Sequence, residues 1–188
     1  MNIVSWNIQA GLGLDGQVNL QRIADVLRQL PFGNAMQADV ICLQEVSRNF
    51  SALTNGEVMD QPQILQDMFA DYDCVFRPAV DLAPLAENAS QARRQFGCMI
   101  LSKRPIQQVF NHLLTQQGAT GKRMQRHLLE VVIESPLGAM RIGTTHLEFN
   151  SHACRLAQVE QILSLHHETQ SAGERTSAIT ADSPYSAD

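Results

Sequence analysis

Residues 39–46 read D-V-I-C-L-Q-E-V, an almost continuous apolar run from Val40 to Leu43 that ends in Gln44 and Glu45. A short apolar run of this kind predicts a buried strand. Ligands of α/β proteins collect at the carboxyl ends of strands. Glu45 is therefore the first candidate functional residue.

The segments before this strand predict a strand and a helix. Residues 2–9 are rich in β-forming side chains, carry Asn7 near their end and precede a glycine-rich turn. Residues 19–30 repeat apolar side chains at helical spacing, begin with Asn19 as a candidate N-cap and stop before Pro31. The chain thus opens in the order strand, helix, strand.

The segments after Glu45 predict a second helix and then several strands in succession. Pro62 at the first helical position begins a short helix, residues 72–77 form a strand, and residues 79–95 form a long polar loop. Further strands are predicted at residues 96–102, 105–114, 126–134 and 140–147. Consecutive strands without intervening helices indicate antiparallel pairing, so we expect an α/β or α+β sandwich with helices covering sheets.

The C-terminal part predicts a helix and a polar tail. Ser151 caps a helix over residues 152–168 that buries Leu156, Val159 and Leu163 on one face. The remaining residues are mostly small, polar or acidic and cannot pack a core. We therefore expect one domain over residues 1–167 and a loop or disordered tail over residues 168–188.

The composition is that of a folded, soluble protein. Of the 188 residues, 44% are hydrophobic, which excludes a disordered chain. No stretch has the length of a membrane span or the pattern of a signal peptide, so we expect a cytoplasmic protein. The four cysteines lie singly, which indicates reduced thiols and not a disulfide or zinc framework.

The charge is unevenly distributed although the net value is only −5. Residues 88–129 contain no Asp or Glu, and they hold half of the 14 basic residues: Arg93, Arg94, Lys103, Arg104, Lys122, Arg123 and Arg126. Such a segment is either a solvated basic face or a surface that binds an anion such as phosphate.

A glycine motif favours a different class of protein. Residues Gly11–Gly16 satisfy G-x-G-x-x-G between a strand and a helix, as in dinucleotide-binding proteins. However, Gly16 lies before the expected cap at Asn19, and Glu45 is farther along the chain than the ribose-binding acid of that fold. A flexible turn explains the glycines better, and dinucleotide binding stays a less favoured alternative.

Three predicted strands end in polar residues suited to phosphate chemistry: Asn7, Glu45 and His146. Each also has an ordinary structural explanation, since Asn7 can cap a turn, Glu45 can pair with a surface arginine, and His146 can be a hydrogen-bonded structural histidine. Their combination with a basic segment favours one shared site.

Four strings carry a resemblance to a known family: V-S-W-N at 4–7, D-V-I-C-L-Q-E-V at 39–46, F-G-C-M-I-L-S-K-R-P-I at 96–106 and T-T-H-L at 144–147. Together they resemble the endonuclease/exonuclease/phosphatase superfamily, the group similar to deoxyribonuclease I. The resemblance covers roughly residues 1–167. It implies a four-layered α/β sandwich that hydrolyses phosphoesters with a metal-activated water.

The resemblance also implies roles for individual residues. Glu45 and Asn7 resemble the metal-binding pair for Mg²⁺ or Mn²⁺, and Asn7 also helps to orient the phosphate. His146 resembles the histidine that hydrogen-bonds the phosphate, so that His146, Asn7 and Glu45 form the implied catalytic set. Arg126 occupies the place of a phosphate-contacting arginine. A single strong carboxylate suffices for Mg²⁺, which keeps several waters and uses substrate oxygens as ligands.

The later motifs of that superfamily, G-D-x-N and S-D-H, do not occur in the sequence. We therefore expect a chain that is incomplete at its C-terminus, holds half of an active site and is a poor catalyst. The alternative is an anion-binding relative without catalysis. The expected partner is a phosphate-containing substrate, namely nucleic acid, a phospholipid head group or a sugar phosphate.

Overall fold

The computed structural model describes residues 1–31, 37–84, 92–118, 123–136 and 138–171. They form two β-sheets, with strand order β1-β2-β4-β3 in the first and β5-β6-β7 in the second. The strands are β1 (Ile3–Asn7), β2 (Val40–Arg48), β3 (Asp73–Leu82), β4 (Arg94–Ser102), β5 (Ile106–Leu113), β6 (His127–Ser135) and β7 (Gly138–Thr145). The helices are α1 (Leu20–Gln29), α2 (Gln61–Met68) and α3 (His152–Ser171), with short 3-10 turns at Gln9–Gly11 and Ser51–Leu53.

The first sheet is mixed. β1 runs parallel to β2 and pairs Asn7 with Gln44, while β2 and β3 both run antiparallel to β4. The parallel pair is joined through α1, as the strand-helix-strand order predicted. The second sheet is antiparallel throughout, which confirms the pairing expected for consecutive strands.

Helices α1 and α2 cover the outer face of the first sheet. The predicted cap of α1 is confirmed, because the Asn19 side chain accepts a hydrogen bond from the Arg22 N–H at 2.9 Å. In α2 the cap is Asp60, which places Pro62 one position later than predicted. Apolar side chains of both helices and of the sheet form one core: Ile23, Leu27, Leu65, Phe69, Ile41, Leu43, Met99 and Leu101.

The two sheets pack face to face through a second core. Its members are Val40, Cys42, Val75, Cys98, Ile100, Leu129, Val131, Ile133 and Ile142. Polar contacts also join the sheets; the one nearest the candidate site is the hydrogen bond that the Gln44 amide donates to the Thr144 hydroxyl at 2.8 Å. This packing brings the middle of β2 beside the end of β7, and it therefore positions the candidate site.

Helix α3 lies against the second sheet, which completes four layers, but a different face is buried than the one predicted. Ser151 caps the helix as expected, through a hydrogen bond from the Cys154 N–H. Leu156, Val159 and Leu163 are 50%, 37% and 52% exposed. Cys154 and Gln158 face the protein instead, because Gln158 donates to the backbone carbonyl of Thr115.

One helix and one loop have different bounds from those predicted. α3 continues to Ser171, so the first residues of the expected polar tail are helical; residues 172–188 lie outside the described part of the chain. The loop expected at 79–95 is shorter, since β3 runs to Leu82 and β4 starts at Arg94. A bulge between Pro78 and Val80 lets β3 continue, and Gly97 permits it because a Cβ there would lie 2.1 Å from the Arg77 carbonyl oxygen.

All four cysteines are free thiols, and three of them are buried. Burial raises the pKa of Cys42 to about 11 and that of Cys98 to about 12, so both are protonated at neutral pH. Within the described residues, no helix combines the length and hydrophobicity needed to cross a membrane.

Candidate functional site

Glu45 lies at a β-bulge inside β2 and not at the strand end that the sequence predicted. The register of β2 with β4 shifts between Gln44 and Val46, so Glu45 has no partner on β4, and the strand continues to Arg48. Glu45 has φ +59°, a left-handed conformation that is uncommon for a residue with a side chain. Strained positions of this kind cluster at functional sites. The bulge interrupts the apolar strand and presents the carboxylate beside the neighbouring strand ends.

Asn7 is the last residue of β1 and contacts this carboxylate directly. Its side-chain N–H donates to Glu45 Oε1 at 2.9 Å, and its Oδ1 accepts from the Gln9 backbone N–H at 3.0 Å. Asn7 therefore orients Glu45, while its amide oxygen is engaged by the following turn.

His146 follows the last residue of β7 and completes the group. His146 Nδ1 lies 3.1 Å from an Arg126 guanidinium nitrogen and 3.4 Å from Glu45 Oε1. Arginine only donates, so Nδ1 is the acceptor and the ring proton is on Nε2. Burial and the Arg126 charge lower the pKa of His146 below its usual value, although Glu45 and Glu148 oppose the shift. His146 is therefore a neutral histidine with one N–H available for donation.

Arg126 directly precedes β6 and is buried. Its guanidinium group lies over the Phe149 ring, 5.6 Å from the ring centre. Its Nε atom is buried, and no residue in the described ranges accepts a hydrogen bond from it. Buried guanidinium donors are costly to leave unpaired. The nearest anion to Arg126 Nε is the Glu148 carboxylate, whose Oε2 lies 3.9 Å away.

Glu148 belongs to this site, although sequence reasoning missed it. Its carboxylate is 2% exposed, and Oε1 accepts from Arg123 at 3.0 Å and from the Asn150 backbone N–H at 2.7 Å. Burial by itself raises the pKa of Glu148, but the Asn150 N–H and the charges of Arg123 and Arg126 outweigh burial and hold it below its usual value. The available signal was its position two residues after His146 in T-T-H-L-E.

His127 was also missed, because it begins an otherwise apolar strand. It is 2% exposed, and its Nδ1–H donates to Asn111 Oδ1 at 2.6 Å. Burial lowers the pKa of His127 to about 4, so the ring is neutral, and Nε2 finds no donor in the described part of the chain. A small, half-open cleft lies here. It is lined by Glu45, Gly97, Cys98, Arg126, His127 and His146.

The basic segment does not form one surface. Only Arg123 and Arg126 of the described basic residues between 93 and 126 lie in the group around Glu148. β4 runs antiparallel to β2 and pairs Ser102 with Val40, so Lys103 is carried to the opposite end of the first sheet from Glu45. There it forms an ion pair with Asp71, while Arg93 pairs with Asp81. Lys122 lies outside the described residues.

The donor set fits a hard cation held mostly by water and substrate oxygens. Glu45 is the carboxylate lining the cleft. The described ranges contain no group of three or more His, Cys, Asp or Glu side chains that could coordinate a metal ion by themselves. Glu45 Oε1 faces the unprotonated His146 Nδ1, and a cation held by Glu45 would offset the repulsion between these two acceptors. Mg²⁺ needs only one or two protein carboxylates.

The glycine motif forms a turn and not a phosphate-binding helix start. Gly11 and Gly16 have φ +79° and +73°, values that favour glycine. Helix α1 begins only at Leu20 after its own cap, so the glycines do not open the helix as a dinucleotide site requires.

The chain shares its fold with several solved structures. An endonuclease/exonuclease/phosphatase from Beutenbergia cavernae is 25% identical with a TM-score of 0.66, and the match covers 86% of this chain and 43% of that one. The human Nocturnin catalytic domain with bound sulfate is 23% identical with a TM-score of 0.57, covering 93% of this chain and 60% of that one. Beta toxin from Staphylococcus aureus with bound magnesium ions is 16% identical with a TM-score of 0.57, covering 89% and 59%.

The chain thus spans less than two thirds of the length of these three structures. No curated protein matches it significantly. The model of the Endonuclease/Exonuclease/phosphatase family matches residues 4–177 and so includes every candidate site residue. Together with the four-layered sandwich, this match shows that the chain belongs to the endonuclease/exonuclease/phosphatase family, whose members are hydrolases acting on phosphoesters.

Proposed function

We propose that the cleft beside Glu45 binds a phosphoester together with Mg²⁺ and takes part in hydrolysis of the ester bond. The observation that supports this most is a continuous set of contacts between separate elements. Asn7 from β1 contacts Glu45 from β2, Glu45 faces His146 after β7, and His146 contacts Arg126 before β6.

The side chains divide the work of binding a phosphate. Arg126 offers a full positive charge and His146 offers its Nε2–H, so both attract phosphoryl oxygens. Asn7 holds Glu45, which provides the carboxylate for Mg²⁺. When bound, Mg²⁺ polarises a phosphoryl oxygen and stabilises charge in the transition state. These fixed donors stabilise the developing charge without having to reorganise.

The described residues of the cleft are better suited to bind a phosphate than to act as a general base. Glu45 is the carboxylate among the lining residues, and it is already engaged by Asn7. His146 has its unprotonated nitrogen taken by Arg126. Deprotonation of the attacking water needs a base within hydrogen-bond reach. We therefore propose that the 188-residue chain binds the phosphate group well and hydrolyses the ester slowly.

The substrate class follows from the groups that bind it. Arg126 and His146 recognise a phosphate group, which nucleic acid, a phospholipid head group and a sugar phosphate all provide. Among the structures with the same fold, the Nocturnin catalytic domain contains a bound sulfate anion, and beta toxin contains bound magnesium ions. Both support the proposed ligands.

Titration calorimetry with inorganic phosphate and with Mg²⁺ tests the proposal. We expect Glu45→Gln to abolish Mg²⁺ binding and Arg126→Gln to weaken phosphate binding at least tenfold, since each removes a charged partner. Glu134→Gln, at the far end of β6, makes the same chemical change as Glu45→Gln at an exposed position and serves as the control.

Cleavage of bis-(p-nitrophenyl) phosphate by the same variants separates the possible outcomes. Slow, Mg²⁺-dependent cleavage that Glu45→Gln abolishes supports the proposal. Phosphate binding that is indifferent to both Glu45→Gln and EDTA, with no cleavage, would replace it by the anion-binding alternative.

A further inference from the structure

We propose that Glu148 is a positioning residue that orders Arg123 and Arg126 before phosphate binds. The inference rests on the phosphate-binding function proposed above. It concerns a carboxylate that does not line the cleft and that the proposed function does not use.

The carboxylate is buried and lies between two arginines. Its Oε1 accepts from Arg123 at 3.0 Å, and its Oε2 lies 3.9 Å from Arg126 Nε. The Glu148 side chain is 3% exposed, and those of Arg123 and Arg126 are 14% and 5% exposed. A buried charge is stable only when it is paired, so these side chains restrain each other.

Helix α3 fixes the backbone that carries this carboxylate. Gln158 Oε1 accepts from the Glu148 N–H at 2.9 Å, and Arg155 donates to the Glu148 carbonyl oxygen at 2.8 Å. Gln158 is itself buried and donates to the Thr115 carbonyl oxygen. The segment after β7 therefore has a fixed path, and the Glu148 carboxylate is a fixed anchor.

The same anchor reaches His146 through Arg126. Arg126 sits against the Phe149 ring and donates to His146 Nδ1, and its Nε faces Glu148. The direction of Arg126 thereby sets both the orientation of the His146 ring and the nitrogen that carries its proton. A substitution of Glu148 would therefore alter the positions of Arg126 and His146, although Glu148 itself does not contact the phosphate.

Glu148 has two effects of opposite sign on phosphate binding. Its negative charge lowers the positive potential around the arginines, which weakens the attraction of an anion. Its contacts hold two long, flexible side chains in one geometry, so that less conformational freedom is lost when phosphate binds. Because the carboxylate is buried and held by α3, we propose that ordering is the larger effect.

The sign of the change in Glu148→Gln decides between these effects. In calorimetry with inorganic phosphate and no metal, we expect Glu148→Gln to bind about tenfold more weakly than the wild type, since Arg126 must then be ordered on binding. Glu148→Asp retains the charge and is expected to recover part of the affinity. Glu160→Gln, which removes one charge from an exposed position of α3, is expected to match the wild type within about twofold.

Affinity of Glu148→Gln that is unchanged or higher would overturn the proposal. NMR of the guanidinium N–H groups in the wild type gives an independent reading if a variant fails to fold. We expect restricted motion at Arg126 Nε–H, and free motion there would refute the ordering. If the wild type itself binds no phosphate, the proposed function is wrong. The NMR measurement then still tests whether Glu148 restricts the motion of Arg126.

Discussion

Acidification tests whether His127 is held neutral at the base of the cleft. The ring is 2% exposed and burial lowers its pKa to about 4, against a usual value of 6.5. Below pH 6.5 the unfolded chain protonates this histidine, whereas the folded chain does not until about pH 4. The unfolded state therefore binds more protons, and stability falls as the pH falls through this window.

The size of the effect follows from the two pKa values. Between pH 7.5 and pH 5.5, His127 should remove about 1.4 kcal/mol of unfolding free energy, rising to about 3.4 kcal/mol well below pH 4. Urea denaturation at both pH values, followed by the fluorescence of the single tryptophan Trp6, measures it. His127→Asn keeps a donor for Asn111 but does not titrate, so the wild type should lose about 1.4 kcal/mol more than this variant.

The comparison between variants isolates one histidine. The lowered pKa of His146 contributes equally to both proteins and cancels. His152→Asn, at an exposed position at the start of α3, makes the same chemical change away from the cleft and is the matched control. Equal pH dependence in the wild type and in His127→Asn would refute a neutral, buried His127.

Other predictions concern the fold around the site. Gly97→Ala should destabilise the protein by about 1–3 kcal/mol in urea denaturation, because the new Cβ would meet the Arg77 carbonyl oxygen at 2.1 Å; an unchanged midpoint would contradict the close approach of β3. Asn19→Ala should cost about 1 kcal/mol through loss of the α1 cap, and an unchanged midpoint in urea denaturation would contradict this role of Asn19. Leu163→Gln should reduce the binding of a hydrophobic dye without lowering the thermal midpoint, since Leu163 is 52% exposed; a large loss of stability would show that this face is buried.

The elements predicted best are those whose signals are local. Helix α1 has its cap at Asn19 and its apolar spacing within a few residues, and the apolar run from Val40 to Leu43 is a buried strand of the first sheet. Asn7, Glu45 and His146 were chosen because polar residues at the ends of apolar strands tend to gather, and the structure does bring them together. Their individual roles in binding and catalysis stay predictions.

The predictions that failed depended on distant partners. The buried face of α3 was wrong because Gln158 and Gln161 hydrogen-bond to backbone groups at residues 113–115, which periodicity cannot show. The length of β3 depended on Gly97, a residue of another strand. The bulge at Glu45 arises from pairing of β2 with β4 and has no marker in the apolar run itself.

By itself, the sequence determined the order of strands and helices, the family resemblance and the residues at which phosphate chemistry was to be sought. These depend on side-chain type and spacing along the chain. Only the tertiary structure decided that Glu148 and His127 belong to the site and that Lys103 does not. The physical reason is that pairing a buried charge or an imidazole depends on which groups two packed sheets bring within about 3 Å, a distance set by the register of distant strands.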